Sequence, residues 1–367
     1  MNYINLLKTL CAVLTLVVAS DCLKAENLVR NTENQKTNVI LFIGDGMSLA
    51  QWQTGMIMSG EPLNIERMHS VGIVQTNSLT DLNGDGPSHG TAIASGVNTR
   101  KGAVGIDSDK KPLKSIIEYA SEYGFATGIV SANTLFEGSI APFVAHVENR
   151  MQKEDIAQAY ATQAPDVFIG GGMKYFSSRE DQRNLLEELR GKGFYIAKSI
   201  DEIQNVRSGN LAGFTSEDDM PDILQERGDS FVKSVYSAIR LLNQRENGFF
   251  LLVGDMFVDR ASHAGNVEQV GLETINLDKA IGMALDFAEK EENTLVIVVG
   301  GPESSGMTLV EGNLQDRNVV AKWTMPGMIH TGTMVPVFAY GVGSDKFQGI
   351  MKNTDLFFRI KNLLFNQ

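Results

Sequence analysis

The chain has 367 residues and a formal net charge of −12, with 43% hydrophobic and 21% charged residues. That balance is ordinary for a globular protein with a sizeable core. The acidic excess argues against a nucleic-acid partner, which needs a surface that neutralises phosphates. It leaves small phosphorylated ligands open, since one local cation or metal suffices for them.

Lys8 precedes an apolar run at 9–19 that is too short to cross a bilayer and has the length of a secretory h-region. Residues 1–25 therefore read as a signal peptide, with Ser20 or Ala25 as small residues for cleavage, and the mature protein as periplasmic or extracellular. Lipid attachment at Cys22 fits less well, because Asp21 precedes it. Cys11 and Cys22 are the only cysteines, so a metal in the mature core must be held by His, Asp or Glu. No later segment has the length and apolarity of a transmembrane span.

Residues 26–37 form a polar leader, and 38–367 read as a single domain. The run at 39–43, stopped by Gly44, has the pattern of a strand buried on both faces. Asp45 then stands at the carboxyl end of that strand, where open α/β sheets place their ligands. A helix at 48–59 and a strand at 71–76 follow, then a loop rich in Asn, Gly and Asp. Next comes a small-residue helix at 88–95, with Pro87 in its first turn and Gly96 closing it.

Beyond it the pattern predicts a helix at 113–123, a strand at 126–131, a helix near 153–162 and a strand at 166–172. The polar region 176–235 offers strands at 195–200 and 212–215 and the start of a helix at 229–244. The chain continues with a strand at 248–253, a helix at 272–288, strands at 294–299 and 335–341, and a helix at 354–364. Strands alternating with helices of this length imply a doubly wound, mostly parallel α/β sheet with helices on both faces. Residues 300–330 read as an irregular excursion near the site.

Asp259 and His263 are four apart and can share one face of a helical turn, and His330 follows in I-H-T-G. Two histidines and a carboxylate are a familiar zinc set with one position open. The same residues also read as hydrogen-bonded histidines with no ion.

A set of ordered motifs adds to this: I-G-D-G-M, T-A-I-A-S-G-V-N-T-R-K-G-A-V-G-I-D, A-P-F-V-A-H-V-E-N-R, D-V-F-I-G-G-G, D-R-A-S-H-A-G-N, N-T-L-V-I-V and H-T-G. In that order, from Asn38 to about Gly341, they resemble the alkaline phosphatase family. The resemblance implies an exported phosphomonoesterase with two zinc ions, a magnesium, a serine nucleophile and a phosphate-gripping arginine. Asp259, His263 and His330 match ligands of the first zinc, and Asp45 the aspartate bridging the second zinc and magnesium. Arg150 matches the arginine that grips two phosphate oxygens, and Asp85 the acid that orients it.

Other positions depart from the family pattern. Gly86 stands at the nucleophile position and has no oxygen to attack with. Gly300 and Gly301 replace an Asp-His pair of the second zinc, and Gly254 a magnesium glutamate. Asp45, Ser139 and Asp255, with Glu137 two residues before Ser139, read as a weak second site for magnesium or calcium, and Glu303 lies in the stretch where the family has a further zinc-site histidine. Helical geometry turns Ser88 away from Gly86, sends Thr91 into the core and leaves His89 on the same face, where packing is the simplest role.

Three functions fit these residues. The first is a family member that binds one zinc and a phosphate or other anionic group, its partner a phosphate or phosphorylated small molecule, with turnover impaired. The second is a one-metal hydrolase, and the third a non-enzymatic scaffold. The resemblance also suggests a homodimer.

Overall fold

In the computed structural model, residues 37–365 are described, apart from 226, 326 and 328. Residues 1–25, read above as a signal peptide, with Cys22, and the polar segment through residue 36 lie outside the described residues. From Thr37 onward the chain forms one compact unit.

Strand β1 (Thr37–Gly46) is the axis of the sheet and is buried at all but its first residue. It pairs in parallel with β7 (Gly248–Asp255) on one side and β8 (Thr294–Glu303) on the other. Its side chains alternate between the two faces, as strand geometry requires. Val39, Leu41 and Ile43 join one apolar cluster with Ile93, Tyr160 and Ile360, whereas Ile40 and Phe42 join another with Trp52, Val235 and Leu277. Each fully buried side chain of this size contributes roughly 1.5–3 kcal/mol. A strand covered on both sides has no face for polar residues, hence the uninterrupted apolar run.

The full sheet has ten strands among the described residues. Outward from β8 lie β11 (Val335–Gly341), β2 (Ser70–Gln75) and β12 (Gly349–Lys352). Outward from β7 lie β3 (Ala126–Thr134), β4 (Val167–Gly171), β6 (Asn210–Ser216) and β5 (Phe194–Ala197). Only β11 runs antiparallel to its neighbours, so the doubly wound, mostly parallel α/β sheet is as expected. From β1 the chain first builds β2 on one side and then crosses to β3 on the other. The crevice at the carboxyl end of β1 is therefore a topological switch point, the place for a ligand.

Several elements differ from the sequence-based expectation. The stretch 300–323 is not an irregular excursion: β8 continues to Glu303, and β9 (Met307–Asn313) pairs antiparallel with β10 (Asn318–Trp323). Gly300 stays in register with Gly44, and Glu303 pairs with Gly46 beyond an irregularity. Strand β5 ends at Ala197 because the Ser199 side chain caps a helix, Ile200–Asn205, by accepting from Glu202 N–H. The helices Lys174–Ser177 and Leu185–Gly191 and the four-residue β12 are too short to show a periodic signature. No helix of the described residues is long and apolar enough to cross a membrane.

Candidate active site

The helix Phe257–His263 begins just past β7 and presents Asp259 and His263 one turn apart. Asp255, the last residue of β7, steadies its start by accepting from Phe257 N–H at 2.8 Å. His263 Nε2 lies 3.2 Å from Asp259 Oδ1, and His330 Nδ1 lies 3.8 Å from the same oxygen. His330 arrives from the far side of the β9–β10 hairpin through a bridge to Ser304. One ligand atom from each of the three residues falls within 4.8 Å of the others, a group able to hold a metal ion. Two imidazole nitrogens and one carboxylate oxygen suit zinc.

Two serines that the sequence reading passed over orient this triad. Ser305 adopts a left-handed backbone (φ 67°), and its hydroxyl donates to Gly327 O at 3.0 Å. A hydroxyl carries one proton, so Ser305 Oγ must accept at 2.9 Å from His263 Nδ1–H. That leaves Nε2 aimed at Asp259 as the ligand atom. The Ser304 hydroxyl donates to Asp259 and lies 3.3 Å from His330 Nδ1. Burial opposes charge on Asp259, but its bonds to His263, the nearby His330 and Ser304 hold its pKa below the usual carboxylate value. Burial likewise opposes charge on His263, and the Asp259 carboxylate overcomes it and raises the imidazole pKa.

Across the crevice, Asp45 Oδ2 accepts from Ser139 Oγ at 2.6 Å, while buried Oδ1 has no partner among the described residues. Burial first, and the Asp259 charge second, raise the Asp45 pKa well above the ordinary value. Asp255 does not join this pair. It is buried, one oxygen committed to Phe257 N–H and Oδ2 without a partner among the described residues. It feels the charge of Arg227, whose guanidinium bonds Glu273 and Asn276 and stacks 4.1 Å over the Phe257 ring. Of the weak second-site trio, the fold brings only Asp45 and Ser139 together.

The glycines at the other expected ligand positions are closely packed. A β-carbon at Gly301 would lie 2.2 Å from Asp45 Oδ1, and one at Gly300 would lie 2.1 Å from Met47 O. Glu303 turns inward, its carboxylate accepting from Gly306 and Met307 N–H at 3.1 and 3.0 Å and from the Thr331 hydroxyl. It thereby ties the turn after β8 to the segment that carries His330.

The third part of the crevice is the start of the helix Gly86–Ser95. Asp85 is its N-cap, Oδ1 accepting from Ser88 N–H at 3.0 Å and Oδ2 from Gly102 N–H at 2.8 Å. Gly102 O accepts from Arg150 N–H at 2.9 Å. The expected support of Arg150 by Asp85 thus runs through the Gly102 backbone, and the Arg150 guanidinium makes no hydrogen bond or ion pair with a described residue. A β-carbon at Gly86 would meet Ser139 N at 3.3 Å, a tight fit and still a feasible one.

Ser88 Oγ closes the capping box, and the Thr91 hydroxyl is buried against Pro87 O at 2.7 Å. His89 is wholly buried, with Nε2 3.2 Å from Gly300 O, and burial lowers its pKa to about 4. It packs the helix against β8. Asp45, Asp85, Gly86, Arg150, Asp259 and His330 line one cavity of about 540 Å³. Arg260 also lines it, bonding Glu137 at 2.9 Å and Asp219. Sequence reasoning missed Arg260, although it directly follows Asp259 in D-R-A-S-H.

The alkaline phosphatase family profile matches residues 36–310. Alkaline phosphatase 4 of Bacillus subtilis is 26% identical over 87% of this chain and 86% of its own length. Alkaline phosphatase of Escherichia coli is 28% identical over 89% of this chain and 86% of its own. Alkaline phosphatase from the Antarctic bacterium TAB5 superposes with a TM-score of 0.84 at 31% identity, covering 90% of this chain and 98% of that one. A variant of the TAB5 enzyme carries Mg in its M3 site. With its sheet, its metal-capable triad and this match, the chain belongs to the alkaline phosphatase family.

Proposed function

We propose that this protein is an exported member of the family that holds one zinc at Asp259, His263 and His330 and binds a phosphate or phosphorylated small molecule beside it, with phosphomonoester turnover strongly impaired. Gly86 carries the proposal, because the residue at the head of the anion-facing helix has no side-chain oxygen. Arg150 has its guanidinium uncommitted, and its planar fork suits two oxygens of a phosphoryl group. The first-turn amides of the helix add dipoles favourable to an anion. A zinc at the triad would supply a Lewis acid for one of the anion's oxygens.

Gly300 and Gly301 offer no ligand atoms beside Asp45, which supports a single zinc rather than a pair. Losing a nucleophile and a second metal together removes groups that act as a unit, so the remaining rate falls far more than either loss alone suggests. The apolar segment at 9–19 supports export.

Metal analysis of the purified protein, with phosphate titration and a fluorogenic phosphomonoester assay, tests the reading. It predicts about one zinc per chain, phosphate binding that needs the zinc, and negligible turnover. Turnover that zinc restores and His330→Ala removes would instead mark a one-metal hydrolase. A protein that takes up no zinc would leave the scaffold reading.

A further inference from the structure

The charged groups around the cavity are unevenly committed. Glu137 is bonded to Arg260 and Thr134, Asp219 to Arg260, and Asp218 to Lys174 at 2.6 Å. Asp85 is filled by two backbone N–H groups and Asp259 by His263 and Ser304, while Asp45 is held by Ser139 through Oδ2 alone. On the cationic side Arg260 is paired twice. Arg150 and Lys153 line the same cavity, and neither forms an ion pair with a described residue.

Lys153 is the first residue of the helix Lys153–Thr162, where the helix dipole disfavours a cation. Its ammonium lies 5.3 Å from the Tyr175 ring centroid, and that ring packs edge-on against Phe136, another cavity residue. The lysine thus lies beside an aromatic face and makes no ion pair with a described residue, although Glu154 and Asp155 follow it directly and its charge reaches the buried Glu137 carboxylate.

The cavity, at about 540 Å³, matches volumes that enclose whole organic ligands, roughly 300–1,000 Å³, and is far larger than a lone phosphate needs. Arg150 and Lys153 are three residues apart, so their α-carbons are at most roughly 10 Å from each other. We infer that the ligand is a phosphorylated small molecule with a second anionic group, a carboxylate or another phosphate, its phosphoryl group on Arg150 and the second anion on Lys153. This rests on the phosphate-binding reading above and adds Lys153 as the residue that selects among phosphorylated compounds.

Calorimetric titration of the zinc-loaded protein with four probes tests it: inorganic phosphate, glycerol 2-phosphate, phosphoglycolate and pyrophosphate. In the wild type, phosphoglycolate, pyrophosphate or both should bind about tenfold tighter than glycerol 2-phosphate, whose tail is uncharged. Whichever binds tighter tells a carboxylate from a second phosphate. Lys153→Met should erase that preference while weakening phosphate far less, and Lys153→Arg should keep it. Phosphate affinity measured on the same Lys153→Met sample verifies that the pocket is intact.

Equal affinity of the wild type for the doubly and singly anionic probes would overturn the inference alone, as would a Lys153→Met loss that is the same for all four. No binding of any probe by the wild type would overturn the phosphate reading and this inference with it.

Discussion

Gly301 lies against Asp45 so closely that a β-carbon there would fall 2.2 Å from Asp45 Oδ1. At this position β8 therefore tolerates no side chain while Asp45 keeps its present rotamer. Gly301→Ala should cost about 1–3 kcal/mol by overpacking. Gly191→Ala, at an exposed helix end with nothing within 4 Å of the new carbon, should stay within about 0.5 kcal/mol of the parent. Thermal or urea unfolding of both variants measures the contrast. Equal stabilities would show that β8 yields easily.

Gly86→Ser faces only the 3.3 Å contact with Ser139 N, which a shift of a few tenths of an ångström relieves. This variant should fold and keep its zinc but gain no phosphomonoesterase activity, because the second metal's ligands remain missing. A steady-state assay on zinc-loaded Gly86→Ser decides it. A measurable rate would mean that the nucleophile alone was lacking.

Zinc uptake should depend on pH in a direction set by His263. Its pKa is raised, so in the metal-free protein Nε2 keeps its proton to a higher pH than an ordinary imidazole, and zinc must displace that proton. Affinity should fall as pH drops below the raised value, and uptake near neutrality should release protons, which calorimetry in buffers of different ionisation enthalpy detects. Without metal the sign for stability reverses. The imidazolium–Asp259 pair stabilises fully below the unfolded histidine pKa, and that contribution is lost as pH rises through the folded one.

Ser305→Ala removes the acceptor that holds His263 Nδ1–H in place. Loss of such an outer partner typically weakens a metal site about 10–100-fold, so zinc affinity should fall within that range. His330→Ala removes a ligand itself and should weaken zinc by more than about a hundredfold. Competition with a chromophoric chelator orders the two variants. The reverse order would place His330 outside the metal site.

His89 should make the fold acid-sensitive. Its folded pKa is depressed to about 4 against 6.5 for a free histidine, so the unfolded chain binds more protons between those values. Stability should fall as pH drops from about 6.5 to about 4, by on the order of 3 kcal/mol, and the His89 share should level off below that. Replacement by Gln should flatten the slope in unfolding experiments run across this window. An unchanged slope would assign the acid sensitivity to the carboxylates.

The sequence by itself determined the sheet class, the central strand with Asp45 at its end, and the pairing of Asp259 with His263. These follow from local periodicity and spacing: a run of apolar residues reports burial on both faces, and four residues make one helical turn. The ordered motifs named His330 as the third member, and only the tertiary structure brought it to the pair through a bridge to Ser304 and showed that Asp85 reaches Arg150 through Gly102 rather than side chain to side chain. It also committed one Asp255 oxygen to the Phe257 backbone and left Lys153 lining the cavity without an ion pair among the described residues. Those relations join residues tens to hundreds of positions apart, or depend on which way a side chain turns at a strand end. Neither leaves a periodic trace along the chain.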